Sequence, residues 1–356
     1  MIGVPSDGRP SGRMLPRSAR LDSLTSLRFP AALAVLVAHV GGMSESSTVR
    51  SVAHQGAVGV SFFFILSGFL LAWARSADAG ASRFYRRRFA RIYPLHAATW
   101  AIAVALALLG LTDAGSRRAQ GTSLLLVQAW FPSYLFAGNK VSWSLSCELL
   151  FYLLFPLIVM TVATMRPSQQ WAVVALCAIL AVFVIPWVAP SDYWAYNFPP
   201  ARLIEFIAGV CLAHRVRDGW RCPVPLSVAS MTLVLAAALS IIAPSTSKPV
   251  AVTAIPIALV ILAAVDREQS GTMGLLGHPR LVTLGVWSFA LYLVHNIIVE
   301  LVLHVTGYLT FPALAAVAPC VLLASVGASY LAHRWIEAPA ERRLRGPGRR
   351  PVSLDR

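Results

Sequence analysis

Two ionisable side chains lie inside one apolar segment near the start of the chain, LRFPAALAVLVAHV, which runs from residue 27 to residue 40. Arg28 stands near its beginning and His39 near its end, eleven residues apart. Eleven residues are close to three helical turns, so both side chains project from similar sides of a helix, about 16 Å apart along its axis. A neutral imidazole can remove a proton from a hydroxyl group, and a guanidinium can bind an anion.

A carboxylate occupies a comparable position in a later apolar segment, SWSLSCELLFYLLFP, at Glu148. If both segments cross a membrane, Glu148 and His39 lie at similar depths from the same surface. A charge at that depth is costly unless it is paired. Glu148 would then either lock two helices together or orient the His39 imidazole and stabilise its protonated form. The residues alone leave both interpretations open.

Basic side chains crowd the stretch SRFYRRRFARIYP, which follows the second apolar segment. Arg88 and Arg91 are three residues apart, so they share one face of a helix and could hold phosphate oxygens with their forked N–H donors. A simpler interpretation is that the cluster orients the segment, as Lys and Arg do beside membrane spans. Arg28 also has two interpretations: it binds an anion, or its guanidinium extends to the lipid headgroups.

A later apolar segment, TLGVWSFALYLVHNIIVE, contains His295, Asn296 and Glu300. A polar side chain inside a membrane helix either bonds to a neighbouring helix or contacts a substrate, and both remain open for His295. Arg202 and Glu205 lie one helical turn apart in ARLIEFIAGV, and we expect them to form a structural ion pair.

The composition indicates an integral membrane protein. Of the 356 residues, 57% are hydrophobic and 13% are charged, with a mean hydropathy of +0.67. Charged residues make up about a quarter of a soluble domain. The 30 Lys and Arg against 15 Asp and Glu flank apolar segments, so membrane orientation explains them and we expect no nucleic-acid partner. The five cysteines are not spaced as metal ligands, and we expect neither a disulfide framework nor a metal site.

An all-α fold of about ten transmembrane helices is predicted, since each crossing needs about 20 mostly apolar residues. The predicted crossings are residues 24–43, 57–74, 92–111, 143–163, 170–189, 201–214, 225–243, 250–265, 281–304 and 311–332. With a cytoplasmic N-terminus, 23 of the 30 Lys and Arg lie on the cytoplasmic side and 5 on the outer side. This asymmetry places both termini in the cytoplasm and predicts a multi-pass protein of the cytoplasmic (inner) membrane.

Residues 121–136, GTSLLLVQAWFPSYLF, form a further apolar segment. If this segment also crossed, every later loop would change sides, leaving 12 Lys and Arg inside and 16 outside. We therefore predict that it is a non-spanning segment on the outer side. Its aromatic residues are typical of the membrane interface.

One membrane domain, residues 21–343, contains all the predicted crossings. Residues 1–20 are rich in Arg, Pro and Ser and lack the apolar core of a cleavable signal peptide, so we predict a disordered basic tail. Residues 344–356 contain Pro, Gly and Arg and are predicted to form a second disordered basic tail.

Six stretches together resemble the acyltransferase-3 family of integral membrane acyltransferases. They are LDSLTSLRFPAALAVLVAHV, GAVGVSFFFILSGFLLAW, FYRRRFARIYPLH, WSLSCELLFYLLFP, SFALYLVHN and RWIEAPAER. They occur in the family's order and cover the chain from about residue 21 to residue 343.

The family pattern has an arginine followed eleven residues later by a histidine, which Arg28 and His39 match. Its Arg-x-x-Arg pair is matched by Arg88 and Arg91, and its WSL-x-x-E stretch by residues 143–148. The resemblance implies transfer of an acyl group from acyl-CoA, acetyl-CoA or longer, to a hydroxyl group of a carbohydrate or natural product.

Roles for individual residues follow from this resemblance and from the membrane depths argued above. His39 is expected to act as the general base, oriented by Glu148, without a metal ion. Arg28, Arg88 and Arg91 are expected to bind acyl-CoA. The residues expected to contact the acceptor are Trp143, Ser144, His295 and Asn296.

The acceptor and the class of protein each have alternatives. We favour a glycosylated or polyketide natural product as acceptor, and the alternative is a cell-envelope polysaccharide or a lipid-linked sugar. A proton-coupled transporter would also place His, Glu and Arg inside the membrane, but no paired, interrupted spans of an internal repeat are evident. A purely structural membrane protein explains neither the depth of His39 nor the neighbouring carboxylate.

Overall fold

The computed structural model describes residues 20–75, 80–241 and 248–344. The two predicted tails lie outside the described residues, apart from Arg20 and Leu344 at their inner ends. The described part of the chain contains no β-strand, only an isolated bridge between Ser44 and Leu309.

Fourteen α-helices are present in the described residues. In chain order they are α1 Asp22–Gly41, α2 Ser47–His54, α3 Val58–Trp73, α4 Ala81–Leu108, α5 Arg117–Leu124, α6 Trp143–Thr164, α7 Pro167–Ile179, α8 Ile185–Val188, α9 Pro199–Arg217, α10 Leu226–Ile241, α11 Lys248–Gln269, α12 Pro279–Thr306, α13 Phe311–Ala332 and α14 Ala338–Leu344. A π-helical turn, His333–Glu337, joins α13 to α14.

Seven helical segments in the described residues are long and apolar enough to cross a membrane. They are Asp22–Gly41, Ser47–Trp73, Ala81–Leu108, Lys140–Thr164, Pro167–Val188, Pro279–Thr306 and Phe311–Leu344. Each overlaps a predicted crossing, which confirms an all-α membrane protein.

The three remaining predicted crossings are also helices, α9, α10 and α11. Helix α10 has only 16 residues, and α9 carries four charged side chains in 19 residues. The total of ten crossings and the cytoplasmic position of both termini therefore stay predictions.

The segment predicted not to cross, residues 121–136, is broken into short pieces. Helix α5 ends at Leu124 and is followed by two three-residue 3₁₀ turns, Gln128–Trp130 and Pro132–Tyr134. At 1.5 Å per residue, the eight residues of α5 span about 12 Å, well short of a bilayer.

Helix α1, near the start of the chain, packs closely against α12, about 250 residues later. Gly285 of α12 lies against the backbone carbonyl of Thr25, where an added Cβ atom would collide. Further along both helices His39 meets His295, so the two helices run parallel. Small residues allow such approaches, which are a main source of helix packing in membranes.

Helices α3, α6 and α9 form the central core. Gly68 of α3 and Gly209 of α9 each lie against the backbone of the other helix, where a Cβ atom has no room. Beside them, the Phe151 ring contacts Phe64 and Phe206 with ring centroids 5.1 and 5.0 Å apart. This packing holds α6 and its carboxylate, Glu148, against α3.

Candidate active site

Two histidines from the first and last parts of the chain form a pair between α1 and α12. The Nε2 atom of His295 lies 3.3 Å from Nδ1 of His39, and the ring centroids are 4.9 Å apart at an interplanar angle of 69°. Each Nδ1 also lies near the carbonyl one turn earlier, 2.8 Å from Val35 O for His39 and 2.9 Å from Leu291 O for His295.

These contacts define the tautomers, because a carbonyl oxygen only accepts. Both Nδ1 atoms must carry hydrogen and donate it to their carbonyls. In the neutral ring the Nε2 atom of His295 is then an acceptor, and the hydrogen on His39 Nδ1 is shared between it and Val35 O. His39 Nε2 consequently keeps its lone pair, and no described residue hydrogen-bonds to it. This is the nitrogen that can act as a base.

The carboxylate on the same helix as His295 is Glu300, about one and a half turns further along α12. Glu300 accepts a hydrogen bond of 3.0 Å from Asn296 Nδ2 and forms a 2.8 Å ion pair with Lys140. Asn296, predicted to contact the acceptor, thus holds the Glu300 carboxylate.

The predicted pair of His39 and Glu148 does not form. Among the described residues, the Glu148 carboxylate accepts a 2.8 Å hydrogen bond from the Tyr152 hydroxyl and makes no contact with His39. Its charged neighbours are Arg28, Arg88 and Arg91. Glu148 therefore belongs to the arginine cluster.

The reason is that α6 begins inside the protein, not at its outer surface. Asn139, just before α6, donates a 2.8 Å hydrogen bond to the carbonyl of Leu293, which lies midway along the 28-residue helix α12. The Tyr292 hydroxyl bonds in turn to Val141 O at 3.1 Å and to Ser144 Oγ at 2.8 Å. The prediction from sequence assumed that α6 begins at the outer surface of the membrane. It therefore placed Glu148 closer to that surface than the structure does.

A cavity opens beside these residues, lined by Arg28, Arg88, Arg91, Glu148 and Tyr152. We call it the arginine cavity. Its volume is about 1360 Å³ including the open mouth. It brings together all three arginines that were predicted to bind the donor.

A smaller chamber of about 400 Å³ continues from the arginine cavity, and Arg28 and Glu148 line both. Its walls include Ser144 and Tyr292. The Tyr292 ring centroid lies 5.9 Å from that of His295. Tyr292 thus separates the chamber from His295.

The three arginines differ in how they are held. Arg91 forms ion pairs of 2.9 Å with Glu337 and with Glu341 at the C-terminal end of the described chain. The Arg88 guanidinium lies 5.9 Å from the Tyr152 ring centroid. Arg28 makes no hydrogen bond or ion pair with a described residue, although Glu337 and Glu148 attract it at longer range.

Glu337 and Glu341 were not predicted as site residues from the sequence. Both lie in RWIEAPAER, which contributed only to the family resemblance. The side chain of Glu337 is fully buried, and its second oxygen accepts from His333 Nδ1 at 3.0 Å. A carboxylate at the end of an apolar segment was the available signal, since buried acids need a cation.

The other residues predicted to contact substrate have different surroundings. Ser144 lines the chamber, as described above. Trp143 is buried against aromatic rings, with centroids 5.3 Å from Tyr196 and 6.5 Å from Phe64, and it lines neither the arginine cavity nor the chamber. Its geometry is that of a packing residue.

Arg202 and Glu205 form the structural ion pair that was predicted, at 3.0 Å and fully buried. Arg202 also donates to Ser61 Oγ at 2.9 Å and lies over the rings of Phe64 and Tyr196. The pair lines neither the arginine cavity nor the chamber. Within the described ranges, no three His, Cys, Asp or Glu side chains are placed to hold a metal ion.

The multi-pass helical protein combines a basic cavity, which can bind an anion, with a buried histidine pair, which can transfer a proton. Comparison with known proteins identifies the family. The model of the acyltransferase-3 family, an acyltransferase domain, matches residues 21–334, and the chain belongs to this family.

Two known proteins are similar to most of this chain. Acyltransferase MdmB of Streptomyces mycarofaciens is 36% identical, across 96% of each chain. Exopolysaccharide production protein ExoZ of Rhizobium meliloti (strain 1021) is 27% identical, across 82% of this chain and 91% of its own. No solved structure matches the chain.

Proposed function

We propose that the protein transfers an acyl group from acyl-CoA to a hydroxyl group of a glycosylated or polyketide natural product, within the membrane. The observation that carries this proposal is that the arginine cavity and its chamber share Arg28 and Glu148, and that Tyr292 in the chamber wall has its ring centroid 5.9 Å from that of His295. A basic entrance suits the phosphates of CoA, and a base near the chamber suits activation of a hydroxyl.

Arg28 and Arg88 are the main donor-binding residues in this proposal. Both line the arginine cavity, and Arg28 forms no hydrogen bond or ion pair with a described residue. Arg91 already faces two carboxylates, so its net attraction for phosphate is smaller, and its main role is to position the wall of the cavity. The motif pair Arg88 and Arg91 thus divides into a ligand-binding and a positioning residue.

His39 Nε2 removes the proton from the acceptor hydroxyl as its oxygen attacks the thioester carbonyl. A C–O bond forms, the C–S bond breaks, and the CoA sulfur leaves with the proton that His39 gives up. While His39 is protonated, its Nδ1 hydrogen is held by Val35 O and His295 Nε2. His295 therefore takes the role that the sequence assigned to Glu148.

The comparison with relatives bears on which molecule is the acceptor. Identity is higher and coverage more complete with the relative named an acyltransferase than with the relative named for exopolysaccharide production. The lower identity to the relative named for exopolysaccharide production gives a polysaccharide acceptor less support. Acylation of an envelope polysaccharide or lipid-linked sugar is the alternative, and both acceptors suit the same chemistry.

A purified preparation in detergent or nanodiscs tests the function directly. Release of free CoA thiol from acetyl-CoA and propionyl-CoA would be followed with a panel of glycosylated polyketides and oligosaccharides, and acylated products identified by mass spectrometry. His39→Ala is the matched control. Acceptor-dependent thiol release that disappears in His39→Ala supports the proposal. Tight CoA binding with no product from any acceptor, or equal product from His39→Ala, would contradict it.

A further inference from the structure

A second groove lies beside the arginine cavity, between the end of α3, the first turns of α4 and the second half of α6. Its volume is about 910 Å³ including the open side. Three arginines line it, Arg75, Arg87 and Arg88. We call it the basic groove.

The rest of the basic groove is apolar. Phe84 of α4 and Phe155, Val159 and Met160 of α6 line it, and the rings of Phe84 and Phe155 stack with centroids 5.0 Å apart. Cationic and apolar linings in one groove suit a ligand with an anionic part and a hydrocarbon part.

The lining of the basic groove contains no Asp or Glu among the described residues. Nearby ion pairs involve Arg91 and Arg215, and none in the described chain involves Arg75 or Arg87. Guanidinium groups such as those of Arg75 and Arg87 attract anions at a membrane protein's surface.

The basic groove also faces lipid. Helices α3, α4 and α6 belong to the segments able to cross a membrane. Met160, on the rim of the groove, is 60% exposed, and Leu157, one turn away on α6, is 66% exposed. Exposed apolar side chains on a membrane-spanning helix contact acyl chains, so hydrocarbon is available along the same wall.

From these features we infer that the basic groove is a binding site for an anionic phospholipid. The phosphate group lies among Arg75, Arg87 and Arg88, and an acyl chain lies along Phe155, Val159 and Met160. Arg88 lines both the basic groove and the arginine cavity, so the bound lipid completes the wall that separates this cavity from the membrane. This inference does not depend on the proposed acyl transfer.

Native mass spectrometry of the purified full-length protein in detergent tests the site. Phosphatidylglycerol and phosphatidylcholine with identical acyl chains are titrated against the protein and the bound lipids counted. Wild-type protein should retain phosphatidylglycerol in preference to phosphatidylcholine. Replacing two arginines, Arg75→Gln with Arg87→Gln, should raise the apparent Kd for phosphatidylglycerol by about thirtyfold.

Arg86→Gln is the matched control, since Arg86 is exposed on α4 next to Arg87 but does not line the groove. It should leave the Kd for phosphatidylglycerol within about threefold of wild type. Arg75→Lys with Arg87→Lys keeps the charge and should retain most of the binding, which separates lost charge from misfolding. Met160→Asn should weaken binding through the acyl-chain wall.

Three results would overturn the inference. One is equal affinity for the two lipids in wild-type protein. Another is an equal loss of phosphatidylglycerol in Arg86→Gln and in the double Gln variant. The last is one-for-one displacement of phosphatidylglycerol by free CoA, because the basic groove would then hold the phosphates of CoA.

Discussion

At the scale of single residues, the proposed reaction places proton transfer at the histidine pair. His39 combines an Nε2 atom that no described residue bonds with an Nδ1 hydrogen held by Val35 O and His295 Nε2. A base that gains charge as it works is most effective when its partner interacts more strongly with the charged form than with the neutral form. Hydrogen bonds to charged groups are stronger than those between neutral groups, and this difference favours the transition state.

His39 and His295 should therefore behave as one unit in a mutant cycle. His39→Ala should lower kcat by about 10²- to 10⁴-fold with CoA affinity kept, as expected for loss of a general base. His295→Leu, which removes the acceptor nitrogen, should lower kcat about ten- to hundredfold. The double variant should be barely slower than His39→Ala alone, since groups acting as a unit are not additive.

His295→Gln is the control for packing, because its side-chain oxygen can accept from His39 Nδ1. Its kcat should lie well above that of His295→Leu at equal thermal stability. A double variant whose kcat loss is the product of the single losses would show that the two rings act separately.

Glu148 should act independently of His39, in contrast to the prediction made from depth alone. Glu148→Gln keeps an oxygen for the Tyr152 hydroxyl but removes the charge that faces Arg28. We expect mainly a change in KM for acyl-CoA, with a smaller change in kcat. Sites without shared partners give additive free energies within about 0.5 kcal/mol.

The measurement is kcat/KM for wild type, both single variants and the double variant His39→Ala with Glu148→Gln. Additive losses of free energy support separate roles for the two residues. A double variant no slower than His39→Ala would restore the direct pairing of His39 with Glu148.

At the scale of elements, the C-terminal end of the described chain supports the arginine cavity. Glu337 in the π-helical turn and Glu341 in α14 both contact Arg91 of α4, about 250 residues away along the chain. Glu337 is fully buried, whereas Glu341 is partly exposed. Removing one member of a buried ion pair leaves an uncompensated charge, which is far more costly than losing an exposed pair.

Arg91 keeps one of its two carboxylates in either variant, so Glu337→Gln should destabilise the protein by about 1.5–3 kcal/mol, and Glu341→Gln by about 1 kcal/mol or less. Thermal unfolding in a single detergent, followed by intrinsic tryptophan fluorescence, measures both. Arg91→Leu with Glu337→Leu tests the pair as a unit and should recover part of the loss. Equal midpoints for Glu337→Gln and Glu341→Gln would show that the buried pair has no special role.

At the scale of the whole molecule, the orientation of the helices in the membrane decides which side the arginine cavity faces. Seven described segments satisfy the length and apolar criteria, and the basic residues favour a cytoplasmic N-terminus with ten crossings. On this arrangement the arginine cavity opens toward the cytoplasm, where acyl-CoA is available. The proposed donor, acyl-CoA, thus requires that the protein is oriented with the arginine cavity facing the cytoplasm.

Cysteine labelling with a membrane-impermeant maleimide tests this topology in intact cells. Single cysteines in place of Gly115, Lys140 and Asp192 should label from outside, and one in place of Arg166 should label only after the membrane is opened. Cys320, the exposed native cysteine, should first be replaced by Ala to lower the background. Labelling at 140 only after permeabilisation would make residues 121–136 a true crossing and reverse every later segment.

The family, the helical class and the candidate functional residues follow from the sequence by itself. The apolar segments predict the helices because the bilayer core imposes a length and excludes charge. The spacing of Arg28 and His39 survives folding because helix geometry alone sets it. The same local rule correctly pairs Arg202 with Glu205, one turn apart on α9.

Only the tertiary structure decided which of these groups meet. Hydrogen bonds of Asn139 and Tyr292 hold the start of α6 inside the protein. Glu148 therefore lies beside the arginines and not beside His39. His39 instead meets His295, and Arg91 meets Glu337, at sequence separations near 250 residues. No local spacing encodes such contacts, since they depend on how deep each helix begins and on which faces pack. The sequence determines which residues can do chemistry, and packing between distant helices determines their partners.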